Sequence, residues 1–487
     1  MNSVFISFSR RCALCMSVAL LASACSVLPA VGTDYQAPEL RLPAQWSSAA
    51  AAPAVPLSTQ PLADWWRQLG DSTLDELIEQ ALAGNLDLKL TQARLRQARA
   101  ARTQAASAYF PSLSASAGAS RSKASRAVSA LPQRTLYDSG FDASWEIDLF
   151  GGTRRAVEAA DADLAASAAD ADNTRVSLLA ELVQNYIDLR SYQQRLAIAR
   201  DNLASQSETL QITSWREQAG LANGSDVEQA RTSREQTRAS IPDLEVALAA
   251  AENRLAVLLG RSPGALHAQL ATVRPLPDVA AGVAAGIPAD VLRQRPDLIA
   301  AERSLAAETA RVGQKLAQRF PSLSLAGSFG WQAYSSAALG GSDTLLRSLS
   351  GTLAATLFDG GRLRSAVEIQ SAVQEQALIT YENSVLGALE EVENALVAHA
   401  QARERIAARR AAAQSARNAA ELSRRMYEAG LADFQKVLET GRTRLSAEDG
   451  LAQAEATQLA SLIKLYKALG GGWQSPAVRA AVTEEPA

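Results

Sequence analysis

The side chains that most often carry out catalysis are scarce in this sequence. Its 487 residues include two histidines, His267 and His399. It contains no glycine-rich phosphate loop, no two pairs of cysteines at metal-ligand spacing and no nucleophile elbow. Position 399 also corresponds, in the internal repeat described below, to a leucine of a helical seam, which favours packing for His399. The sequence therefore predicts no catalytic residue, no cofactor, no metal site and no enzyme activity.

The charges of the chain are balanced and dispersed. There are 51 acidic and 48 basic residues, giving a net charge of −3, and the two signs are mixed along the chain. A nucleic-acid-binding protein concentrates positive charge on one surface, so we expect no nucleic-acid partner. Aromatic residues make up only 5% of the chain, and alanine is abundant. This composition favours long, closely packed helices over a bulky globular core.

One cysteine lies in a context that points to covalent modification. Two arginines precede an apolar stretch that is too short to span a membrane as a mature helix, and the stretch ends Leu-Ala-Ser-Ala before Cys25. This ending is similar to a bacterial lipobox. We interpret residues 1–24 as a signal peptide and Cys25 as a lipid anchor, with cleavage of an ordinary signal peptide as the alternative. Cys12 and Cys15 would leave with the signal, so no disulfide framework is expected.

Two stretches, Ala108–Phe150 and Arg319–Phe358, alternate between apolar and polar residues with a period of two. Both have Phe-Pro-Ser-Leu-Ser near the start, and both close on a phenylalanine that is followed by paired glycines, directly in the first and after Asp359 in the second. Successive side chains of a strand point to opposite faces, so each stretch predicts two strands with one apolar and one polar face, about 112–149 and 322–357. The apolar positions are Leu113, Ala115, Ala117, Ala119, Phe141, Ala143, Trp145, Ile147 and Leu149, then Leu323, Leu325, Phe329, Trp331, Leu349, Leu353, Ala355 and Leu357.

The length of these strands favours a membrane sheet over a soluble, half-buried one. Each run reaches the roughly 9–11 residues that a tilted strand needs to cross a bilayer. An apolar outside and a polar inside are typical of a membrane barrel, and known barrels have at least about eight strands. Because four strands cannot close, and an open edge in lipid is prohibitive, the chain must share strands with other copies. Two chains would supply eight strands and three would supply twelve.

Long helices follow each pair of strands. The helix predicted at about 152–218 carries leucines seven residues apart, as in a coiled-coil seam, and about 60 residues would extend roughly 90 Å. Gly220 ends it, and Ser225 would begin a return helix at about 225–259, with Glu228 completing a capping box. In the second half, helices are predicted at about 362–428 and 433–469, with a break at Gly430. The seam leucines are Leu182, Leu189, Leu196, Leu203 and Leu210.

The chain is an internal duplication. Phe320, Gly430 and Gly470 each follow their counterparts Phe110, Gly220 and Gly260 by 210 residues. Each half contains a helix, two strands, a long helix, a turn and a return helix, and such a repeat decides the fold. We divide the chain into a signal peptide (1–24), an irregular lipidated segment (25–70), a first repeat (71–260), a connector (261–288), a second repeat (289–470) and a tail (471–487).

The sequence resembles the TolC-like outer-membrane efflux proteins, in the lipoprotein branch called NodT-type, over nearly the whole mature chain. The resemblance implies a mainly α-helical fold with a membrane β-barrel part. In that fold a trimeric α-helical barrel continues into a 12-stranded β-barrel, to which each chain gives four strands. The segments that carry it are Val31-Gly32-Thr33-Asp34-Tyr35, Trp65-Trp66, Leu258-Leu259-Gly260, Arg295-Pro296-Asp297-Leu298 and the two Phe-Pro-Ser-Leu segments.

The same resemblance assigns roles to residues near the two turns. Gly220-Leu221 and Gly430-Leu431 match the periplasmic tips, which in the family close the channel and contact a periplasmic adaptor. Asp226, Tyr427 and Glu439 match positions that gate the pore. A structural reading stands beside each, since Asp226 could simply stabilise the start of a helix and Tyr427 could pack between helices. Lys436 and Ala432 stand where some relatives carry an acid and a gating arginine, so the family's electrostatic lock is not carried over to this chain.

The resemblance implies a passive outer-membrane exit duct for small toxic compounds. A homotrimer in outer-membrane lipid, anchored at Cys25, would receive its cargo from a periplasmic adaptor and an inner-membrane pump, expected to be proton-driven. It would lie in the outer membrane of a Gram-negative bacterium and extend into the periplasm. Two alternatives are the outer-membrane duct of a protein secretion system and a lipid-anchored structural coiled coil without a pore.

Overall fold

The computed structural model describes residues 30–39, 42–43, 45–47, 62–123, 133–277 and 294–473. The predicted signal peptide, Cys25, the later part of the predicted connector and most of the predicted tail lie outside the described residues.

Helices dominate the described chain. The two longest have 67 residues each, and the helix that follows each of them has 35, so the two halves match in length as well as in sequence. Over the described residues, no helix combines the length and the apolar composition that a membrane crossing requires. The helices are α1 (Ser72–Gly84), α2 (Leu86–Ser107), α3 (Gly152–Gln218), α4 (Gly224–Leu258), α5 (Pro296–Ala317), α6 (Arg362–Glu428) and α7 (Phe434–Ala468). Shorter elements are a single α turn at His267–Leu270 and 3₁₀ helices at Leu62–Leu69, Ser336–Ala338 and Ser342–Thr344.

Four strands form one antiparallel sheet in the order β1-β2-β3-β4. The ladder is continuous across the sheet: Ala115 pairs with Phe141, Phe141 with Phe329, and Phe329 with Arg347. Two strands from each half are thus joined through the central β2–β3 pair, and β1 and β4 are the edges of the sheet. The strands are β1 (Ser112–Ser122), β2 (Arg134–Ile147), β3 (Ser322–Ala333) and β4 (Leu345–Ala354).

The register places the predicted apolar residues on one face of the sheet. Leu113 lies opposite Ala143, Trp145 opposite Leu325, and Leu323 opposite Leu353. The other face carries serines that bond to each other across strands, such as Ser112 with Ser144 at 2.8 Å and Ser328 with Ser348 at 2.7 Å between the hydroxyl oxygens. Because large side chains of the apolar face are exposed to solvent in the single chain, for example Leu349 at 86%, this face lacks a partner there.

The strand ends differ from the alternation of the sequence. β2 begins at Arg134, seven residues before Phe141, the first apolar position predicted for this strand, because it continues to pair with β1 as far as Ser122. It ends at Ile147, so Leu149 is outside the sheet. β4 stops at Ala354, which pairs with Ser322, the first residue of β3. Residues 355–357 keep the alternating pattern but have no partner on β3, so the sequence pattern extends further than the strand pairing.

The described chain divides into two compact units, one of which holds the sheet with residues 30–39, 94–168 and 300–382. Residues 30–39 are fixed here by Arg155, which is 3% exposed. Its guanidinium donates to the carbonyl oxygens of Val31 (3.2 Å) and Gly32 (3.1 Å) and to a carboxylate oxygen of Asp34 (2.8 Å). Gly32 has φ 94°, and a Cβ there would lie 2.8 Å from the Cα of Gly313, so only glycine fits.

The other unit contains the main apolar core. Trp65 stacks on Tyr466 with the ring centroids 4.9 Å apart, and the core continues through buried leucines of α1, α3 and α4. Tyr186 is fully buried and donates to the carboxylate of Asp71. Burial, followed by this bond, raises the pKa of Tyr186 to about 12. The hydroxyl therefore stays protonated and serves as a donor that joins α3 to the start of α1.

The leucine seam predicted for α3 is confirmed at four positions. The side chains of Leu182, Leu189, Leu196 and Leu210 are buried, and Leu203 is partly exposed. His399, at the position equivalent to Leu189, is half-buried and lies 3.3 Å from the hydroxyl of Ser461 through Nδ1. This contact agrees with the packing role expected for it.

Arg295, in the Arg-Pro-Asp segment, joins three helices of the same unit. It is 7% exposed and donates to the carbonyl oxygen of Ala468 at 3.0 Å, to Asp297 at 2.7 Å and to Glu391 at 2.8 Å. Burial disfavours its charge, but the bonds to the two carboxylates raise the pKa of Arg295 above its ordinary value. The segment is therefore a structural clamp at the start of α5, where Pro296 occupies the first position, at which its missing N–H costs least.

Candidate functional site at the turns between the long helices

Both long helices end in the same way. Gly220 has φ 73° and Gly430 has φ 74°, and the amides of Leu221 and Leu431 bond to the carbonyl oxygens of Arg216 (2.7 Å) and Met426 (2.8 Å). These bonds form a Schellman motif, which satisfies the last carbonyls of a helix and requires a left-handed residue. No atom of the described chain lies within 4 Å of a Cβ built on either glycine. Backbone conformation, not crowding, is therefore what requires glycine at both turns.

Leucine follows each of these glycines and is left in solvent. Leu221 is 70% exposed and Leu431 is 75% exposed. An isolated exposed leucine needs no explanation, but these two occupy equivalent apexes 210 residues apart. They form a matched pair of exposed apolar side chains at the end of the unit's helices.

The helix after the first turn is capped differently from the prediction. Asn223, not Ser225, is the N-cap of α4, and its side-chain oxygen accepts from the amide of Asp226 at 3.0 Å. A carboxylate oxygen of Asp226 accepts in return from the amide of Asn223 at 3.4 Å. The predicted capping role of Glu228 is wrong, since Glu228 instead pairs with Arg231 at 2.5 Å. The cap lies two residues earlier because the turn after Gly220 is short.

Asp226 therefore has a structural role that the geometry shows directly. Its side chain is half-buried and belongs to the capping box. At the second turn the cap is simpler: Asp433 accepts from the amide of Lys436 at 2.9 Å. The helices before the two turns, α3 and α6, therefore end in the same way, whereas the helices after them, α4 and α7, are capped differently.

Tyr427 lies one turn before Gly430 and is 4% exposed. Its ring is 5.8 Å from the ring of Phe434, and both belong to an apolar cluster with residues of α3 and α4. The cluster is Leu210, Val227, Ala230, Tyr427, Phe434 and Val437. Packing between helices, the simpler reading of Tyr427, is thus what the structure contains.

A residue that the sequence did not single out connects the two turns. The guanidinium carbon of Arg216 lies 4.5 Å from the centre of the Tyr427 ring, and its Nη1 donates to the carbonyl oxygen of Tyr427 at 2.9 Å. Arg216 Nε and the Tyr427 hydroxyl are buried, and neither has a hydrogen-bond partner among the residues that the structure describes. A cation over an aromatic ring is stabilising, more so when water is excluded. Arg216 and Tyr427 come from different halves of the duplication, so this contact joins the end of α3 to the end of α6.

Glu439 lies on an exposed face of α7. Its carboxylate is 3.0 Å from the ammonium of Lys436, one turn earlier on the same helix, and both side chains are more than half exposed. Some members of the family that the sequence resembles carry an acid at the position of Lys436. Here the ammonium of Lys436 partly neutralises the carboxylate of Glu439. Exposed pairs of this kind contribute little stability, so the consequence is for local charge.

Behind the turns, a buried carboxylate joins three helices. Glu448 of α7 accepts from Arg417 of α6 at 2.9 Å, from Arg444 at 3.2 Å and from Asn202 of α3 at 3.4 Å. An open cavity of about 450 Å³ lies beside this cluster and is lined by residues of α3, α4, α6 and α7. The cluster had no signal in the sequence, because its members are ordinary charged residues at ordinary helical spacing.

The chain matches known proteins over most of its length. The model of the family described as outer membrane efflux protein matches residues 77–261 and 287–471, one match in each repeat. The pyoverdine export outer membrane protein OpmQ of Pseudomonas putida is 33% identical over 95% of this chain and 97% of that protein. Nodulation protein T of Rhizobium leguminosarum bv. viciae is 32% identical over 94% of this chain and 93% of that protein.

The fold also matches solved structures. The structure of the outer-membrane channel OprN has a TM-score of 0.86 and 38% sequence identity, and the match covers 91% of this chain and 100% of that chain. The predicted fold, mainly helical with four antiparallel strands, is confirmed by this likeness and by the sheet. The chain is therefore a member of the outer membrane efflux protein family and an efflux channel protein of the Gram-negative outer membrane.

Proposed function

We propose that three copies of this chain form a passive exit duct for small toxic compounds. The duct closes a 12-stranded barrel in the outer membrane and is lined by long helices in the periplasm. It receives its cargo from a periplasmic adaptor and from a proton-driven inner-membrane pump. One observation carries the proposal: a four-stranded sheet with an unpartnered apolar face and two edge strands, joined to two pairs of long helices.

The physical basis is that a sheet of four strands is incomplete in lipid. Unpaired backbone groups at β1 and β4 would each be costly in a bilayer, and pairing β4 of one copy with β1 of the next removes both edges. Single-channel recording of the purified protein in planar bilayers tests the proposal. We expect discrete conductance steps from a trimer. A correctly folded trimer that gives no conductance, even with altered turns, contradicts it.

The gate is assigned to the turns, through Asp226, Tyr427 and Glu439. Asp226 also caps α4, so its two roles must be separated. Asp226→Asn keeps an oxygen that can accept from the Asn223 amide and removes only the charge, whereas Asp226→Ala removes both. If the charge gates the pore, both variants raise the open probability. If Asp226 only caps, Asp226→Asn behaves as the wild type and this part of the proposal fails.

The adaptor contact is assigned to Gly220-Leu221 and Gly430-Leu431, where the exposed leucines offer apolar anchors. The Leu221→Glu and Leu431→Glu variants should lose crosslinks to the adaptor while the trimer and its conductance persist. Val273→Glu is the matched control, since Val273 is 60% exposed and lies in the connector. Equal crosslinking in all three variants would exclude the turns as the contact.

The membrane anchor is assigned to Cys25, which lies outside the described residues. A lipid chain there would hold the mature N-terminus at the membrane surface, although one chain alone binds weakly. Metabolic labelling with radioactive palmitate should mark the wild type and not Cys25→Ser. Labelling of both proteins would place the modification elsewhere.

A secretion duct for proteins remains the second candidate. The relative from Pseudomonas putida is named for pyoverdine export, which favours small cargo over protein. The neighbouring genes distinguish the two, because a proton-driven pump and an ATP-driven exporter imply different cargo. A lipid-anchored coiled coil without a pore would give no conductance at all.

A further inference from the structure

The apolar face of the sheet carries two charged side chains among the described strand residues, and both are arginines. Arg121 lies on β1 opposite Thr135, and Arg347 lies on β4 opposite Phe329. Both are exposed, and no ion pair or hydrogen bond is formed by either guanidinium in the described part of the chain. The acids of the strands, Asp138, Asp142 and Glu146, alternate onto the opposite, polar face.

Both arginines lie near the same end of the sheet. The two hairpins extend to different heights at this end: β1 pairs with β2 as far as Arg134, whereas β3 pairs with β4 only as far as Leu345. Arg121 is therefore one residue from the end of β1, and Arg347 is two residues from the start of β4. This is the end where the strands turn back, away from the helices. The opposite end of the same face, at Ile147, Leu323 and Leu353, carries no charge.

Aromatic residues lie close to both arginines on this face. Trp331 pairs with Leu345, one step further out than Arg347, and Tyr137 pairs with Ala119, one step in from Arg121. Trp and Tyr favour the boundary between hydrocarbon and headgroups. An arginine on the lipid-facing side is least costly near that boundary, where its guanidinium can bind phosphate through two parallel hydrogen bonds.

We propose that Arg121 and Arg347 bind the phosphate groups of an anionic lipid in the outer leaflet, and this proposal rests on the proposed function for its orientation. They are on the two edge strands, so closing the ring brings Arg347 of one copy next to the strand that carries Arg121 of the next. Each junction between protomers then presents two guanidiniums to the outer leaflet. The fitting partner is a phosphorylated glycolipid whose acyl chains cover the apolar face, with two phosphates that match two cations.

Native mass spectrometry of the purified full-length protein tests the site, with bis-phosphorylated lipid A as the probe. In the double variant Arg121→Gln with Arg347→Gln, we expect about tenfold less lipid retained per trimer, since each basic residue near an anionic membrane surface contributes measurably. Arg319→Gln is the matched control, because Arg319 is exposed at the helix end of the sheet; its lipid retention should equal the wild type. Phosphatidylethanolamine should be retained equally by all three proteins, and inorganic phosphate should not displace lipid A.

Two outcomes overturn the proposal. If the double variant retains as much lipid A as the wild type, the arginines do not bind it. Charged residues on edge strands also prevent unwanted pairing between copies. If the arginines have only this role, the double variant gives less trimer, and the lipid retained per trimer is unchanged. Channel conductance, recorded on the same proteins, is the separate readout of the proposed function. If the wild-type protein showed no conductance, the proposed duct would be contradicted, whereas lipid retention would still test the lipid site by itself.

Discussion

At the residue scale, the contact between Arg216 and Tyr427 is the feature of the turns that makes the sharpest prediction. The ring is buried and lies against Arg216 and Phe434, but its hydroxyl has no hydrogen-bond partner in the described part of the chain. Tyr427→Phe should therefore leave thermal stability unchanged or slightly higher, because it removes an unsatisfied buried group. Tyr427→Ala should lower the free energy of unfolding by about 3–5 kcal/mol, as for other large core truncations.

Thermal unfolding and single-channel recording on the same two variants check this prediction. If the ring acts in the gate through packing, Tyr427→Phe keeps the wild-type conductance and Tyr427→Ala raises the open probability. Raised conductance in Tyr427→Phe would instead assign the gate to the hydroxyl. Tyr334→Phe is the control for loss of a hydroxyl, since Tyr334 is 63% exposed.

The two histidines predict pH effects of opposite sign. Burial, with a smaller effect of Arg403, lowers the pKa of His399 below its ordinary value. His399 therefore binds fewer protons in the folded state than in the unfolded state, and stability falls as pH drops below about 6.5. The bond to Glu252 raises the pKa of His267, so its contribution is complete below about 6.5 and is lost as pH rises through the folded pKa.

Thermal melts between mildly acidic and mildly basic pH test both signs. His399→Gln should flatten the acid-side loss of stability, and His267→Gln should remove part of the gain on acidification. Because His267 is exposed, its effect should also weaken in high salt. Identical pH profiles for the two variants would contradict the assignment.

Residue roles were only partly accessible from the sequence. Tyr427 was named through family resemblance, but Arg216 was not, because the duplication gives no hint of it. The counterpart of Arg216 is Met426, and the counterpart of Tyr427 is Glu217. A contact that exists once, between unlike positions of two halves, leaves no repeating pattern. The Glu448 cluster was missed for a similar reason, since only the fold brings Asn202 and Arg417 to it.

At the element scale, glycine decides where the long helices stop. Gly220→Ala and Gly430→Ala should each lower stability by about 1–2 kcal/mol, because a left-handed conformation is costly for a residue with a Cβ. Gly387→Ala is the matched control: it lies within α6, and nothing is within 4 Å of its built Cβ. It should raise stability by about 0.5–1 kcal/mol. Circular dichroism melts measure all three, and equal shifts would contradict the conformational argument.

Helix ends were easier to predict than helix starts or strand ends. The ends follow from single glycines with a required φ, a signal that is local in sequence. For the start of α4 the sequence predicted Ser225, whereas the short turn places the cap at Asn223. Strand ends depend on where the partner strand stops: β4 ends opposite Ser322, which alternation within β4 cannot reveal.

At the scale of the whole molecule, the edges of the sheet carry the prediction. In a closed trimer the outward amides of β1 and β4 are paired with neighbouring copies, although a single chain leaves them open. Hydrogen–deuterium exchange on the purified trimer should therefore show β1 and β4 as protected as β2 and β3. Residues 334–341, between β3 and β4, serve as the exchanging reference. Fast exchange confined to β1 and β4 would contradict ring closure.

The bond between Arg216 and Tyr427 also has a mechanical consequence. The ends of α3 and α6 are fastened to each other, so a force applied at Leu221 is carried to the segment before Leu431. The two turns of one protomer are therefore mechanically coupled. In the proposed trimeric channel, a partner that binds at one turn would displace both, so opening would require three coupled movements rather than six independent ones.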